Sequence, residues 1–286
     1  MGEEAQEYVD TRLVQTQNDF EQSERDRPGV DEMIVELDGC FLRTAELVKK
    51  RGRGKTKVRK IQKKRRVEEY KEVRVGLVRS IDDVKKVAVA KMSGYPEICQ
   101  QLFEASIEAG LSSKTQVVGI ADGGNGLLEE LQTHFPDMTF ILDVFHLKEN
   151  MYETADAMGF VEEEKEQWVK QRFSMIFKGK VEKALALMKE DLLKSGVNER
   201  LERLIGYIEK FKEGMSYKEC KERGWPIGSG EVESAHRYIP QKRMKLPGAW
   251  WKKEHINPML AMRVVRANGW WDSFWAEKDQ LLEIAS

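Results

Sequence analysis

Val117-Val118-Gly119-Ile120-Ala121-Asp122-Gly123-Gly124-Asn125-Gly126 is a short apolar run that stops abruptly on an aspartate, and Phe140-Ile141-Leu142-Asp143-Val144-Phe145-His146 repeats the pattern. Apolar runs of this length, bounded by turn residues, predict buried strands of a mostly parallel sheet. Between them, Leu127-Leu128-Glu129-Glu130-Leu131-Gln132 has amphipathic-helix spacing, so the whole predicts a β-α-β unit. Asp122 and Asp143 then stand at the carboxyl ends of strands, where open α/β sheets hold their ligands. A charge there is costly to desolvate unless a metal, a helix terminus or a partner offsets it. The glycines after Asp122 would let a phosphate or an ion approach closely. Equally, Asp122 would cap the next helix while the glycines only make the turn. The stretch by itself leaves both readings open.

Towards the amino terminus, Glu32 to Thr44 alternates as a strand, with Met33, Val35, Leu37 and Phe41 on one face and Asp38 on the other. Asp38-Gly39 between apolar residues is also a two-residue hairpin signal. Val67 to Arg79 and Lys86 to Ala90 read as the next two strands of an antiparallel meander, and Tyr95 to Ala109 as a helix ended by Gly110. The order is β-β-β-α-β-α-β, an α/β class. Towards the carboxyl terminus, residues 147–158, 161–177, 181–193 and 199–211 are helical by period, with charged outer faces. A Gly/Pro loop spans Gly224 to Gly230, a helix begins at Glu231, and two more cover 253–267 and 271–284. The organisation expected is a polar leader or remnant over 1–30, the first part of a core over 31–146, a helical insertion over 147–225, and core completion over 226–286.

The chain has 286 residues, 41% hydrophobic and 34% charged. No apolar run approaches the ~20 residues needed to span a bilayer, and the acidic start does not read as a secretory signal. Membrane partners are therefore not expected. Cys40, Cys99 and Cys220 are scattered, without disulfide or zinc-knuckle spacing, so a reducing compartment is the default. The net charge of −1 hides an asymmetry, because Arg51 to Arg66 carries ten Lys or Arg and no acid. Such a run is a solvated loop, a nuclear-import signal or a binder of polyanions; Arg59, Lys60, Lys63, Lys64, Arg65 and Arg66 are its candidate phosphate contacts. A second basic and aromatic stretch holds Lys242, Arg243, Lys245, Trp250, Trp251 and Lys252. Its lysines suit phosphates, while its tryptophans suit packing or base stacking. Trp270 and Phe274 recur at helical spacing and are expected in the core.

Three acids stand at suggestive places: Asp38 on the first strand, Asp122 after the fourth, and a glutamate opening the helix after the insertion. If the first strand lies beside the fourth, as in a ribonuclease-H-like order, Asp38 and Asp122 meet. Carboxylates bridging two divalent ions serve phosphodiester cleavage, and hard Mg²⁺ favours oxygen donors. An alternative is a mononuclear zinc hydrolase built from Asp143, His146, Glu233 and His236.

Asp122-Gly123-Gly124, the run Ile141 to His146, Pro226-Ile227-Gly228-Ser229-Gly230-Glu231-Val232-Glu233-Ser234-Ala235 and Met259-Leu260-Ala261-Met262-Arg263 resemble bacterial insertion-sequence DDE transposases of the ISKra group. They are similar, more distantly, to Mutator and hAT transposases. The resemblance implies a ribonuclease-H-like core interrupted by a helical insertion, with Asp38, Asp122 and Glu233 as the catalytic and metal-binding acids and Mg²⁺ or Mn²⁺ as cofactor. It implies Asp143 and His146 as a supporting Asp-x-x-His signature, and Ser229 and Gly230 as loop and cap residues. Glu231 competes with Glu233, since two residues apart on a helix they point about 200° apart. Implied, too, are DNA as partner, a homo-oligomer on the DNA, a bacterial cytoplasmic location at the nucleoid, and cleavage with strand transfer as the activity. Relatives carry a longer amino-terminal region, so a shortened copy, or a catalytically inactive DNA-binding descendant, is the alternative.

Overall fold

The structure, a computed structural model, describes residues 1–22, 28–49, 64–82 and 85–284. Its centre is a five-stranded mixed sheet in the order β3-β2-β1-β4-β5. The strands are β1 (Glu32–Lys49), β2 (Lys64–Ser80), β3 (Lys86–Lys91), β4 (Gln116–Ala121) and β5 (Thr139–Leu142). Antiparallel pairing joins β1 to β2 and β2 to β3; parallel pairing joins β1 to β4 and β4 to β5. The meander and the β-α-β unit expected from the sequence are thus both present, and they join where β1 pairs with β4. Asp38-Gly39 makes no turn: β1 pairs with β2 continuously from Met33↔Ser80 to Lys49↔Lys64.

The helices, in chain order, are α1 (Gly2–Gln22), α2 (Tyr95–Glu108), α3 (Leu127–His134), α4 (Val144–Ala157), α5 (Glu162–Phe177), α6 (Val181–Ser195), α7 (Glu199–Phe211) and α8 (Tyr217–Glu222). They end with α9 (Gly230–His236), α10 (Lys242–Met244), α11 (Ile256–Ala267) and α12 (Trp271–Ile284). One face of the sheet carries Met33, Val35, Leu37, Val78 and Val89, packed in a core with Leu102 and Ala105 of α2. On the other face, Ile34, Val118 and Ile120 enter a second core built mainly by the insertion, α4 to α8. Beside it, α9 covers β1 and β2 with Val232 and Ala235. The insertion closes on itself around Trp168, whose indole N–H donates to Asp191 at 2.9 Å and whose ring lies 4.5 Å from the Arg172 guanidinium.

Within the first 30 residues, α1 packs on the rest of the fold. Ala5, Tyr8, Val9 and Leu13 recur at helical spacing, are at most 7% exposed, and seat α1 against α2 and α11. Trp270 and Phe274 are buried as expected, the latter stacked edge-on against Tyr8 at 5.4 Å. No helix among the described residues is long and apolar enough to cross a membrane.

Candidate active site where β4 ends beside β1

The register of β1 against β4 runs from Glu32↔Gln116 to Glu36↔Ile120. Continued by two residues, it sets Asp38 level with Asp122. Side chains alternate along a strand, so both aspartates share the face of Ile34, Glu36, Val118 and Ile120. There β4 stops while β1 runs on, and its edge is covered again at Arg43–Ala45 by the Trp251 backbone (Ala45 N–H to Trp251 O 3.0 Å, Trp251 N–H to Arg43 O 3.1 Å). Asp38 therefore lies in a notch between α9 and the start of the insertion.

Asp122 ends β4 by folding back, its Oδ1 accepting the Gly124 N–H at 2.9 Å. The Tyr207 hydroxyl of α7 donates to the Asp122 carbonyl at 2.6 Å. The two glycines next to it serve packing more than ligand approach. A Cβ on Gly124 would lie 2.5 Å from the Tyr95 hydroxyl, and Gly123, at φ +75°, would drive one to 2.8 Å from the Phe211 ring. The carboxylate of Asp122 stays half-exposed.

Asp38 is fastened differently. Its Oδ1 accepts its neighbour Gly39's N–H at 2.7 Å, and its Oδ2 lies 3.3 Å from Nε2 of His236, at the end of α9. The approach is an ion pair more than a directed hydrogen bond, for both imidazole nitrogens are buried without a well-aligned partner. Burial alone would lower the His236 pKa, but Asp38 and Cys40 outweigh it and push it up to about 9. Burial would likewise raise the Asp38 pKa, yet His236, the Gly39 N–H and His146 hold it below the ordinary carboxylate value. His236 thus stands as a cation beside an anionic Asp38.

Two further carboxylates hold the helix over this notch. Asp143 is fully buried and caps α4, its Oδ1 accepting from the Phe145 and His146 N–H groups at 2.6 and 3.3 Å. Its Oδ2 accepts the Ser229 N–H at 2.8 Å and the Ser229 hydroxyl. Each oxygen therefore takes two donors, the capacity of a carboxylate. That leaves nothing for the zinc site considered from the sequence, and Asp143 instead ties α4 to the loop before α9. Glu36, also fully buried, accepts the Val232 N–H of α9 at 2.8 Å, and its Oε1 has no partner. Burial pushes its pKa up to about 7, against the pull of that N–H and of Arg79. Sequence reasoning missed Glu36. A glutamate between Val35 and Leu37 reads as an outward residue, and only its place two residues before Asp38 on the same face hinted otherwise.

On α9, Val232, Ala235 and His236 face inward. Glu231 leans to one side, in an ion pair with Lys86. Glu233 lies on the side of His236 and is exposed, and its carboxylate has no hydrogen bond or ion pair among the described residues. It is the free acid of the two. His146, one turn into α4, is 3.5 Å from Glu149. Among the described residues no three His, Cys, Asp or Glu side chains converge as a metal-holding group.

Of the candidate DNA contacts, Arg59, Lys60, Lys63 and the side chain of Lys64 lie outside the described residues. Arg65 and Arg66 are exposed on β2, Arg66 paired with Glu68 at 2.7 Å. Lys242, Arg243, Lys245 and Lys252 are all exposed, with Arg243 5.7 Å from the Trp251 ring and Lys252 3.2 Å from Glu254. Trp251 serves packing, its indole N–H donating to the Met244 carbonyl at 3.1 Å. A cleft of about 600 Å³ opens at the opposite end of β4 among Phe103, His134, Phe135 and Met138, away from the acids. The chain matches no protein-family model, and no curated protein sequence matches it either.

Proposed function

We propose that the chain is the catalytic domain of a DDE transposase of ribonuclease-H-like fold, which cleaves a DNA strand and transfers the freed 3′-hydroxyl to a target. The observation that carries the reading is the parallel register of β1 against β4 in a β3-β2-β1-β4-β5 sheet, which, continued two residues past its last pair, sets Asp38 within β1 level with Asp122 just after β4. The exposed Glu233 on the helix over the notch supplies the third acid. All three donors are carboxylate oxygens, which suits Mg²⁺ or Mn²⁺ and not a thiolate-seeking metal. Paired divalent ions, when bound, supply an activated water and stabilise the leaving oxygen. Asp38, Asp122 and Glu233 would hold them. Glu36 and Asp143 keep α9, and with it Glu233, in place above the strands, while Tyr207 fixes the backbone at Asp122. His236 balances the charge of Asp38 while the acid has no other cation beside it.

A second reading, a DNA-binding descendant without catalysis, is favoured by the engagement of Asp38 with His236. Nicking of supercoiled DNA in Mg²⁺ or Mn²⁺ separates the two. Activity in the wild type, lost in Asp38→Ala, Asp122→Ala and Glu233→Ala, is expected; cleavage that persists in any of the three rejects the assignment of that acid. A wild type that binds DNA without nicking leaves the second reading. A homo-oligomer, needed to join two element ends, belongs to the same proposal.

A further inference from the structure

Beside Asp122 the insertion and the α/β core enclose a cleft of about 310 Å³. Its floor is Asp122 with Gly123 and Gly124, and its wall is α7, which presents Arg200, Arg203 and Tyr207. Those positions are three and four residues apart, so they form one stripe along the helix. The stripe runs from the solvent end of α7 down to the Tyr207 hydroxyl on the Asp122 carbonyl. Asn150 of α4 closes the far side, its Oδ1 accepting from Arg200 at 3.0 Å. The two guanidinium groups outnumber the one carboxylate that lines the cleft.

We propose that Arg200 and Arg203 hold a backbone phosphate of the DNA strand that passes Asp122, so that the insertion is a strand clamp built onto the active site. The inference rests on the strand-cleavage reading. Guanidinium groups suit the role, since their planar donors match phosphate oxygens two at a time. Their present partners are weak competitors. Among the described residues Arg203 reaches Glu199 alone, four residues back on the same helix, with side-chain exposures of 71% and 77%. Arg200 pairs with Glu153, with side-chain exposures of 33% and 57%. Exposed pairs of this kind are screened by solvent and give little up when exchanged for a phosphate. A chain whose α7 served only to pack would need its inward stripe, Leu201, Leu204, Ile205 and Ile208, and not arginines at the cleft. A phosphate bound here lies next to Asp122 without occupying the place of the cleaved one.

The test uses the full chain in EDTA with a 5′-fluorescein single strand of about 20 nucleotides, the length a practical choice for a strand spanning several phosphate contacts. Binding is followed by fluorescence anisotropy over a salt series. Arg203→Glu should weaken binding by roughly tenfold or more and flatten the salt dependence by about one phosphate contact. Arg203→Lys, which keeps the charge but loses the paired planar donors, should bind more weakly than wild type and more tightly than Arg203→Glu. Lys218→Glu makes the same charge change elsewhere on the insertion and should alter binding less than about twofold. Equal affinity and salt slope in Arg203→Glu and wild type would overturn the clamp. So would an equal loss in Lys218→Glu, or a wild type that binds no strand. Absence of nicking in Mg²⁺ or Mn²⁺ bears on the cleavage reading alone, because none of these measurements requires catalysis.

Discussion

Asp122 and Asp143 end neighbouring parallel strands after similar apolar runs, yet one is left open and the other is consumed. Asp122 gives one oxygen to the Gly124 N–H and keeps a half-exposed carboxylate. Asp143, fully buried, gives four acceptor positions to Phe145, His146 and Ser229. The difference lies in the segment that each strand leads into. After β4 the chain makes a glycine turn before α3 begins at Leu127, so no helix amides face the acid. After β5 the helix α4 starts at once, and its first amides face the carboxylate. A carboxylate at a strand end is thus free for chemistry only where the next helix does not claim it. Tyrosines of the helical segment steady both ends, Tyr207 at the Asp122 carbonyl and Tyr217 at the Leu142 carbonyl, at 2.6 and 2.9 Å.

The contrast is sharpest in substitutions that remove charge. Asp122→Asn keeps the shape and the turn to Gly124, so the melting temperature should hold, while metal-dependent nicking falls by about 10³-fold or more. Asp143→Ala leaves buried N–H groups at Phe145, His146 and Ser229 without an acceptor. A loss on the order of 3–5 kcal/mol is expected, readable as a drop in melting temperature of about 10 °C. A stable Asp143→Ala or an unstable Asp122→Asn would reverse the roles assigned to the two acids.

How much of this is legible in the sequence depends on how local the cause is. The strands and the helices of 147–211 are written in spacing, because their burial follows from their own periodicity. The pairing of β1 with β4 is expected only through strand order, and the structure bears it out. α1 escapes a sequence reading because Ala5, Tyr8, Val9 and Leu13 are few among charged residues; their burial is created by α2 and α11, far along the chain. Glu36 escapes it for the same reason, its partner Val232 being 196 residues away. Asp143 and His146 stand out as a motif, but a motif does not say whether an acid binds a ligand or an amide. Between Glu231 and Glu233 the structure adds one difference, that Lys86 engages Glu231 while Glu233 is exposed.

Glu36 extends the contrast to a third acid, buried like Asp143 but held by a single N–H and carrying an orphaned oxygen. Its pKa is raised from 4.5 to about 7, so the folded state keeps its proton where the unfolded state has released it. The stability linked to this group is therefore complete below about pH 4.5, falls as pH rises to 7, and falls no further above that. Over that window the loss is on the order of 3 kcal/mol. Glu36→Gln keeps an acceptor for Val232 and has no proton to lose. Denaturant midpoints should match the wild type near pH 4.5 and exceed it at about pH 8, beyond the titration. Parallel curves across the range would show that Glu36 titrates as an ordinary carboxylate.

The smallest effect tests the open strand end without touching its carboxylate. Tyr207→Phe retains the ring, which packs edge-on against Phe211 at 5.3 Å, and removes only the hydroxyl on the Asp122 carbonyl. A neutral hydrogen bond of this kind is worth about 1 kcal/mol, so the melting temperature should move by only a few degrees. Nicking should fall further than stability, by about tenfold, because a displacement of Asp122 of a few tenths of an ångström misplaces a reacting group. Equal, small losses in both would mean that Tyr207 merely packs. A loss confined to activity would show that the insertion, through Tyr207, sets the position of Asp122, an acid with few contacts of its own.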